Sequence, residues 1–253
     1  MAEKLYESTV TIETPDGAME AFIAMPEGAS TAPGLIVAME AFGVNSHIKA
    51  LCRRYAGAGY AAIAPDFYHR SGPMLTFAYD DPKRREPFSA LTNAGIETDI
   101  RAVITHMGDR PEVDAGRIGI VGYCVGGFMA FLAACRTEVA TAVCLYGGGI
   151  VEAREGLKLE PLLTEADRIK VPVLMLFGEK DTSIPLAQVE TLRNRLAMQP
   201  REHEVVVYPG AEHGFACDER ASFNPEAAAD AWKRTIAWLE LRLQGLQNYP
   251  SED

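Results

Sequence analysis

The first twenty residues of this 253-residue chain hold no long apolar run and mix acidic with basic side chains. An export signal needs a basic start followed by an apolar stretch, so none is expected. Cysteine is scarce: Cys52, Cys124, Cys135, Cys144 and Cys217 form an odd set of five with no C-x-x-C spacing. Such a set suits neither a disulfide framework nor a Cys/His metal motif, and it points to a reducing, cytoplasmic setting. Positive charge is in deficit, 24 Lys and Arg against 35 Asp and Glu, for a net charge of −11. That sign repels phosphate backbones and anionic lipid, which argues against nucleic acid and membranes as partners. One long stretch lacks charge, the eighteen residues from Ile118 to Cys135. Its glycines, above all Gly122, make it a buried strand, a tight turn and a buried helix rather than a membrane span. Repeats, low-complexity tracts and long linkers are missing too, so the chain is expected to form a single domain. The polar end, Gln247 to Asp253, is expected to fray.

What is present is alternation. Residues 8–14 and 19–25 alternate in polarity around Pro15-Asp16-Gly17, the pattern of a β-hairpin. The apolar runs 34–39, 60–65, 117–121, 139–146, 171–177 and 204–208 read as strands. Helical spacing is predicted over 46–59, 89–107, 125–135, 185–198 and 225–243, while the polar stretch up to Pro87 has no clear period. The sum is an α/β fold: a mostly parallel central sheet with an N-terminal antiparallel hairpin and helices on both faces. Such sheets place their chemistry at the carboxyl ends of strands.

Gly122-Tyr-Cys124-Val-Gly126 falls at one of these ends. It has the form G-x-nucleophile-x-G, in which the glycines make room for a sharp strand-to-helix turn. The following helix would turn its free N–H groups toward the sulfur and favour thiolate. A buried apolar cysteine in a glycine-rich turn has the same letters. Asp181 and His213 follow, each just past a predicted strand, in the order nucleophile, acid, histidine of a hydrolase triad. Taken singly, Asp181 reads as a turn residue or helix cap and His213 as a loop histidine. Their order and placement together favour chemistry. His47, His69, His106 and His203 have no such context and read as structural or solvent-facing. Glu40 leaves an apolar strand, where a carboxylate must be paired or belong to a site. The N–H groups of Ala41 and Val125 are placed to form an oxyanion hole.

Glu40-Ala-Phe-Gly-Val-Asn45, Tyr60 to Tyr68, Gly119 to Gly127, Gly178-Glu-Lys-Asp181 and Gly210 to Ala216 together resemble the dienelactone hydrolases. These are a branch of the α/β-hydrolases with a cysteine nucleophile, and the resemblance runs over about residues 10 to 243. It implies Cys124 as nucleophile, His213 as base and Asp181 as the acid that orients it. It implies that Glu40 contacts the resting thiol and helps activate it when substrate enters. It also implies a small ester or lactone as substrate, Phe42, Arg84 and Arg85 (beside Lys83) as its contacts, no cofactor and no metal. The chain departs from the pattern at two positions. An arginine that holds the substrate carboxylate in the family stands four residues after the histidine, where this chain has Cys217, and the serine beside the histidine is Gly214. Attack on phosphotriesters or aryl esters by the same three residues, a thiol redox sensor joining Cys124 to Cys217, and a non-catalytic binding module are the alternatives. The assembly is expected to be a monomer or small homo-oligomer.

Overall fold

The computed structural model describes residues 4–28 and 31–245; the polar tail from Gln247 lies outside the described residues. The chain opens with antiparallel strands β1 (Leu5–Thr14) and β2 (Gly17–Pro26), joined through Pro15 and Asp16. After β3 (Ala32–Ala38) come helix α1 (Ser46–Ala56) and strand β4 (Ala61–Pro65). Helices α2 (Arg85–Ala90) and α3 (Asn93–Gly108) precede β5 (Val113–Tyr123), α4 (Val125–Arg136), β6 (Ala142–Leu145) and β7 (Val173–Gly178). Then α5 (Leu186–Ala197), β8 (His203–Tyr208) and α6 (Pro225–Leu239) complete the alternation.

The eight strands form one sheet in the order β1-β2-β4-β3-β5-β6-β7-β8. β2 pairs antiparallel with β1 and β4, and every pairing from β4 through β3 to β8 is parallel. All residues of β3, β4, β6 and β7 are buried, which is why these strands read as unbroken apolar runs. In α4 every residue except Arg136 is buried, so its uncharged sequence reflects a central helix. No helix among the described residues is long and apolar enough to cross a membrane.

Several predicted boundaries shift, and three of the shifts have a clear consequence for the fold. The single helix expected over 89–107 is two, because Leu91 and Thr92 are extended and the Thr92 side chain caps α3 by accepting from the Gly95 N–H. The strand expected from Val139 begins only at Ala142. The last helix ends at Leu239 and continues as a wider turn over Glu240–Gln244. The stretch before α2 is a run of turns pinned by buried Asp66, which accepts from the Tyr68 and Met74 N–H groups.

Sequence order reverses at β3, which has β4 on one side and β5 on the other. A crevice opens at the carboxyl ends of strands at such a point. Ala38 pairs with Gly122, so Glu40 and Cys124 leave the sheet at neighbouring strand ends.

Candidate active site

Tyr123 ends β5 and Val125 begins α4, leaving Cys124 to reverse the chain. Its backbone sits at φ +57°, a region that non-glycine residues rarely occupy. Packing holds it there. The Cys124 N–H donates to the Leu145 carbonyl at 3.1 Å, and a Cβ on Gly122 would stand 1.8 Å from the Gly126 carbonyl oxygen. A Cβ on Gly126 would meet the Ala38 carbonyl oxygen at 2.2 Å. This close approach brings the loop after β3, which carries Glu40 and Ala41, to the N-terminus of α4.

Cys124 Sγ lies 3.2 Å from His213 Nε2, and His213 Nδ1 donates to Asp181 Oδ2 at 2.7 Å. Asp181 is buried, and its other oxygen accepts from the Ser183 and Ile184 N–H groups at 2.8 and 3.2 Å. The loops that carry the acid and the histidine are tied together by the Lys180 N–H, which donates to the Ala211 carbonyl at 2.8 Å. A side chain at Gly178 would prevent this, since a Cβ there would stand 2.4 Å from that carbonyl oxygen. The Tyr146 ring packs edge-on against the imidazole at 5.2 Å.

Burial opposes ionisation of the Cys124 thiol, and Glu40 pushes the same way. His213, helped by Arg220, outweighs both and holds the thiol below its ordinary value. His213 moves the other way: burial disfavours imidazolium, but the thiolate and the Asp181 carboxylate overcome it and raise the ring. The arrangement favours a thiolate–imidazolium pair.

Glu40 is fully buried. One oxygen accepts from Arg220 Nη1 at 3.0 Å, and Oε2 has no hydrogen-bond partner among the described residues. Arg220 reaches it through two successive turns, closed by Cys217 N–H to the Gly214 carbonyl at 3.0 Å and Arg220 N–H to the Cys217 carbonyl at 3.1 Å. The guanidinium lies back over Gly214, at φ +80°, where a Cβ would stand 2.1 Å from Nη1.

The profile of the dienelactone hydrolase family matches residues 19–243. The chain belongs to the dienelactone hydrolase family. It is 37% identical to a protein of Synechocystis provisionally named carboxymethylenebutenolidase, over 96% of this chain and all of that one. A protein of the same provisional name from Methylorubrum extorquens is 34% identical, covering 94% of this chain and 82% of the relative. A crystal structure from Klebsiella pneumoniae, provisionally a dienelactone hydrolase, superposes with a TM-score of 0.86 at 36% identity, covering 93% of this chain and 98% of that one. A dienelactone hydrolase-like promiscuous phosphotriesterase from metagenomic libraries shares the fold, with a TM-score of 0.80 at 22% identity over 94% and 98% of the two chains. The protein is accordingly a hydrolase acting on ester or lactone bonds.

An arginine is present after the histidine, but seven positions on rather than four, and its guanidinium occupies the space that a side chain at 214 would need. Spacing alone did not reveal Arg220, because two turns must close before it points inward. The contact implied between Glu40 and the resting thiol is also rearranged, with the thiol on His213 and the glutamate on Arg220.

The implied substrate contacts separate. Arg84 and Arg220 both approach the Phe42 ring, at 5.3 and 5.6 Å. Arg85 is exposed and lines a different cleft with Arg154, and Lys83 is exposed as well. His69 has the partner that sequence could not supply: its Nε2 lies 3.2 Å from buried Asp99 of α3, which also takes two hydrogen bonds from Arg70. His106 and His203 are half-buried and lie away from the thiol. His47 is buried close to Glu40 and Cys217.

Proposed function

We propose that the protein hydrolyses activated esters or lactones bearing an anionic group, through a thioester on Cys124. The observation that carries this reading is the continuous contact from Asp181 through His213 to Cys124, at 2.7 and 3.2 Å, with the thiol at a helix N-terminus. The Cys124 thiolate attacks the carbonyl carbon, and the N–H groups of Ala41 and Val125 receive the oxyanion. Collapse of the tetrahedral intermediate expels the alkoxide, which takes a proton from His213. His213 then removes a proton from water as the water attacks the thioester, and Cys124 leaves as thiolate. Asp181 keeps the imidazole oriented and supports its charge.

A thiolate leaves a tetrahedral centre more readily than an ordinary alkoxide. Cys124 therefore suits substrates whose oxygen leaving group is itself good: enol lactones, aryl esters or, with sulfur, thioesters. Arg220 and Arg84 support the anionic group. Arg84 donates to the Asp81 carbonyl and, among the described residues, forms no ion pair, while Arg220 has only Glu40. A substrate carboxylate beside Phe42 would meet both guanidiniums.

The test is a rapid-mixing assay with a p-nitrophenyl ester. We expect a burst of nitrophenol equal to the enzyme concentration, a protein mass raised by one acyl group, and neither in Cys124→Ala. A burst of the same size in Cys124→Ala overturns the reading.

A further inference from the structure

Beside the catalytic thiol lies a second group of ligating side chains that the proposed reaction does not use as a unit. A carboxylate oxygen of Glu40, a ring nitrogen of His47 and Cys217 Sγ all lie within 4.8 Å of one another, and all three residues are buried. They come from three places in the chain: the loop after β3, the first turn of α1, and the loop after His213. No sequence spacing announces them.

Two of the three carry a polar atom without a partner. Glu40 Oε2 and His47 Nε2 are buried and have no hydrogen-bond partner among the described residues, with Glu40 0% and His47 5% exposed. A buried polar atom left unsatisfied costs about 1–3 kcal/mol. The other atom of each group faces a charged neighbour. Glu40 Oε1 accepts from Arg220, and His47 Nδ1 faces Asp218 at 3.4 Å. An imidazole whose far nitrogen meets a carboxylate is the usual setting of a metal-bound histidine.

We propose that Glu40, His47 and Cys217 form a binding site for a borderline-soft divalent cation such as Zn²⁺, behind the catalytic thiol. The donor set, one carboxylate oxygen, one imidazole nitrogen and one thiolate, matches what that ion prefers and does not suit Mg²⁺ or Ca²⁺. Donors around a tetrahedral ion at bond lengths of about 2.0–2.3 Å are roughly 3.5 Å apart, so the three side chains close by about an ångström on binding. Three protein donors leave a fourth position for water. Burial holds the Cys217 thiol up at about 11, with Glu40 adding to the effect, so the free protein carries S–H at this position. Binding is therefore an exchange: the S–H proton leaves to solvent and the sulfur pair bonds the ion, with no change of oxidation state. An ion there also draws on the carboxylate that holds Arg220, so occupation inhibits turnover of anionic esters.

The Cys124–His213 pair could itself chelate a metal, so the test begins with Cys124→Ala and uses Co²⁺ alone as the probe. We expect one equivalent to bind with a sulfur-to-cobalt absorption in the near ultraviolet and the release of one proton. In Cys124→Ala with Cys217→Ser the absorption disappears. In Cys124→Ala with His47→Gln, affinity falls by more than the roughly 10–100-fold that an outer-shell contact is worth. The proposal is overturned if the absorption survives Cys217→Ser, or if affinity is unchanged by His47→Gln. It is equally overturned if no absorption forms up to about 1 mM Co²⁺ in Cys124→Ala protein whose circular dichroism matches wild type.

Discussion

Cys124 and Cys217 are two thiols in the field of the same buried carboxylate, Glu40, and burial opposes ionisation at both. They end on opposite sides of an ordinary cysteine, Cys124 lowered and Cys217 pushed up to about 11. The difference lies in the partner. Cys124 faces an imidazole whose positive charge is supported by Asp181, whereas Cys217 faces the neutral hydroxyl of Tyr79 at 3.3 Å. A hydroxyl can donate a hydrogen bond to sulfur but brings no charge, and it does not overcome the loss of water. The direction in which each thiol shifts is thus set by a charged neighbour reached through the fold, not by burial or by the residue type.

The comparison is broken most severely at His213. His213→Ala is expected to lower kcat/KM by about 10⁴- to 10⁶-fold. The same change should move the pH at which Cys124 is alkylated up to or above the ordinary thiol value of about 8.5. In the wild type that inflection lies below it, because a lowered group stays ionised as pH falls. An unchanged alkylation profile in His213→Ala would mean that the helix terminus, not the imidazole, sets the thiol.

The backbone that holds Cys124 is the next place to press. Gly126→Ala places a methyl group against the Ala38 carbonyl oxygen, backbone against backbone, with no flexible side chain to yield. A loss of at least about 3 kcal/mol in chemical denaturation is expected. Gly214→Ser should behave differently, because the obstacle there is the guanidinium of Arg220 and not backbone. Stability should fall by about 1 kcal/mol from the backbone strain at positive φ, and Arg220 should be displaced from Glu40.

Arg220→Gln tests the same contact from the other side. KM for an anionic aryl ester is expected to rise by about ten- to a hundredfold, from about 1.5–3 kcal/mol of charge-assisted hydrogen bonding. KM for its neutral counterpart should change far less, and equal changes for both would remove the case for an anionic substrate.

The smallest effect is expected at Cys217. Cys217→Ser in metal-free buffer should keep kcat within about twofold of wild type, since the thiol is protonated at working pH and takes no part in acyl transfer. In Cys124→Ala, alkylation of Cys217 should stay slow through about pH 9 and accelerate only as pH nears the raised value of about 11. Rapid alkylation at neutral pH would erase the contrast between the two thiols.

What could be read from the sequence was local. Apolar runs such as 34–39 and 171–177 are strands because a strand covered on both faces by helices has no position for a polar side chain. The glycines at 122 and 126 announce a turn in which two backbone segments come too close for a Cβ, and that turn isolates Cys124 at a helix start. Asp181 and His213 stood out because both follow strands that end on the same side of a parallel sheet as β5, and the structure brings them together. Thr92 was legible as a cap only after the chain around it was seen to be extended, since a threonine within a helical pattern fits either state.

Tertiary structure alone decided where long side chains end. Arg220 reaches Glu40 across 180 positions of sequence, through two turns whose closure depends on packing rather than on spacing. His69 found Asp99, and Glu40, His47 and Cys217 converged, for the same reason. Strand and turn patterns follow from forces between near neighbours in the chain. The meeting of distant charged or ligating groups follows from how whole elements stack, and periodicity does not encode it.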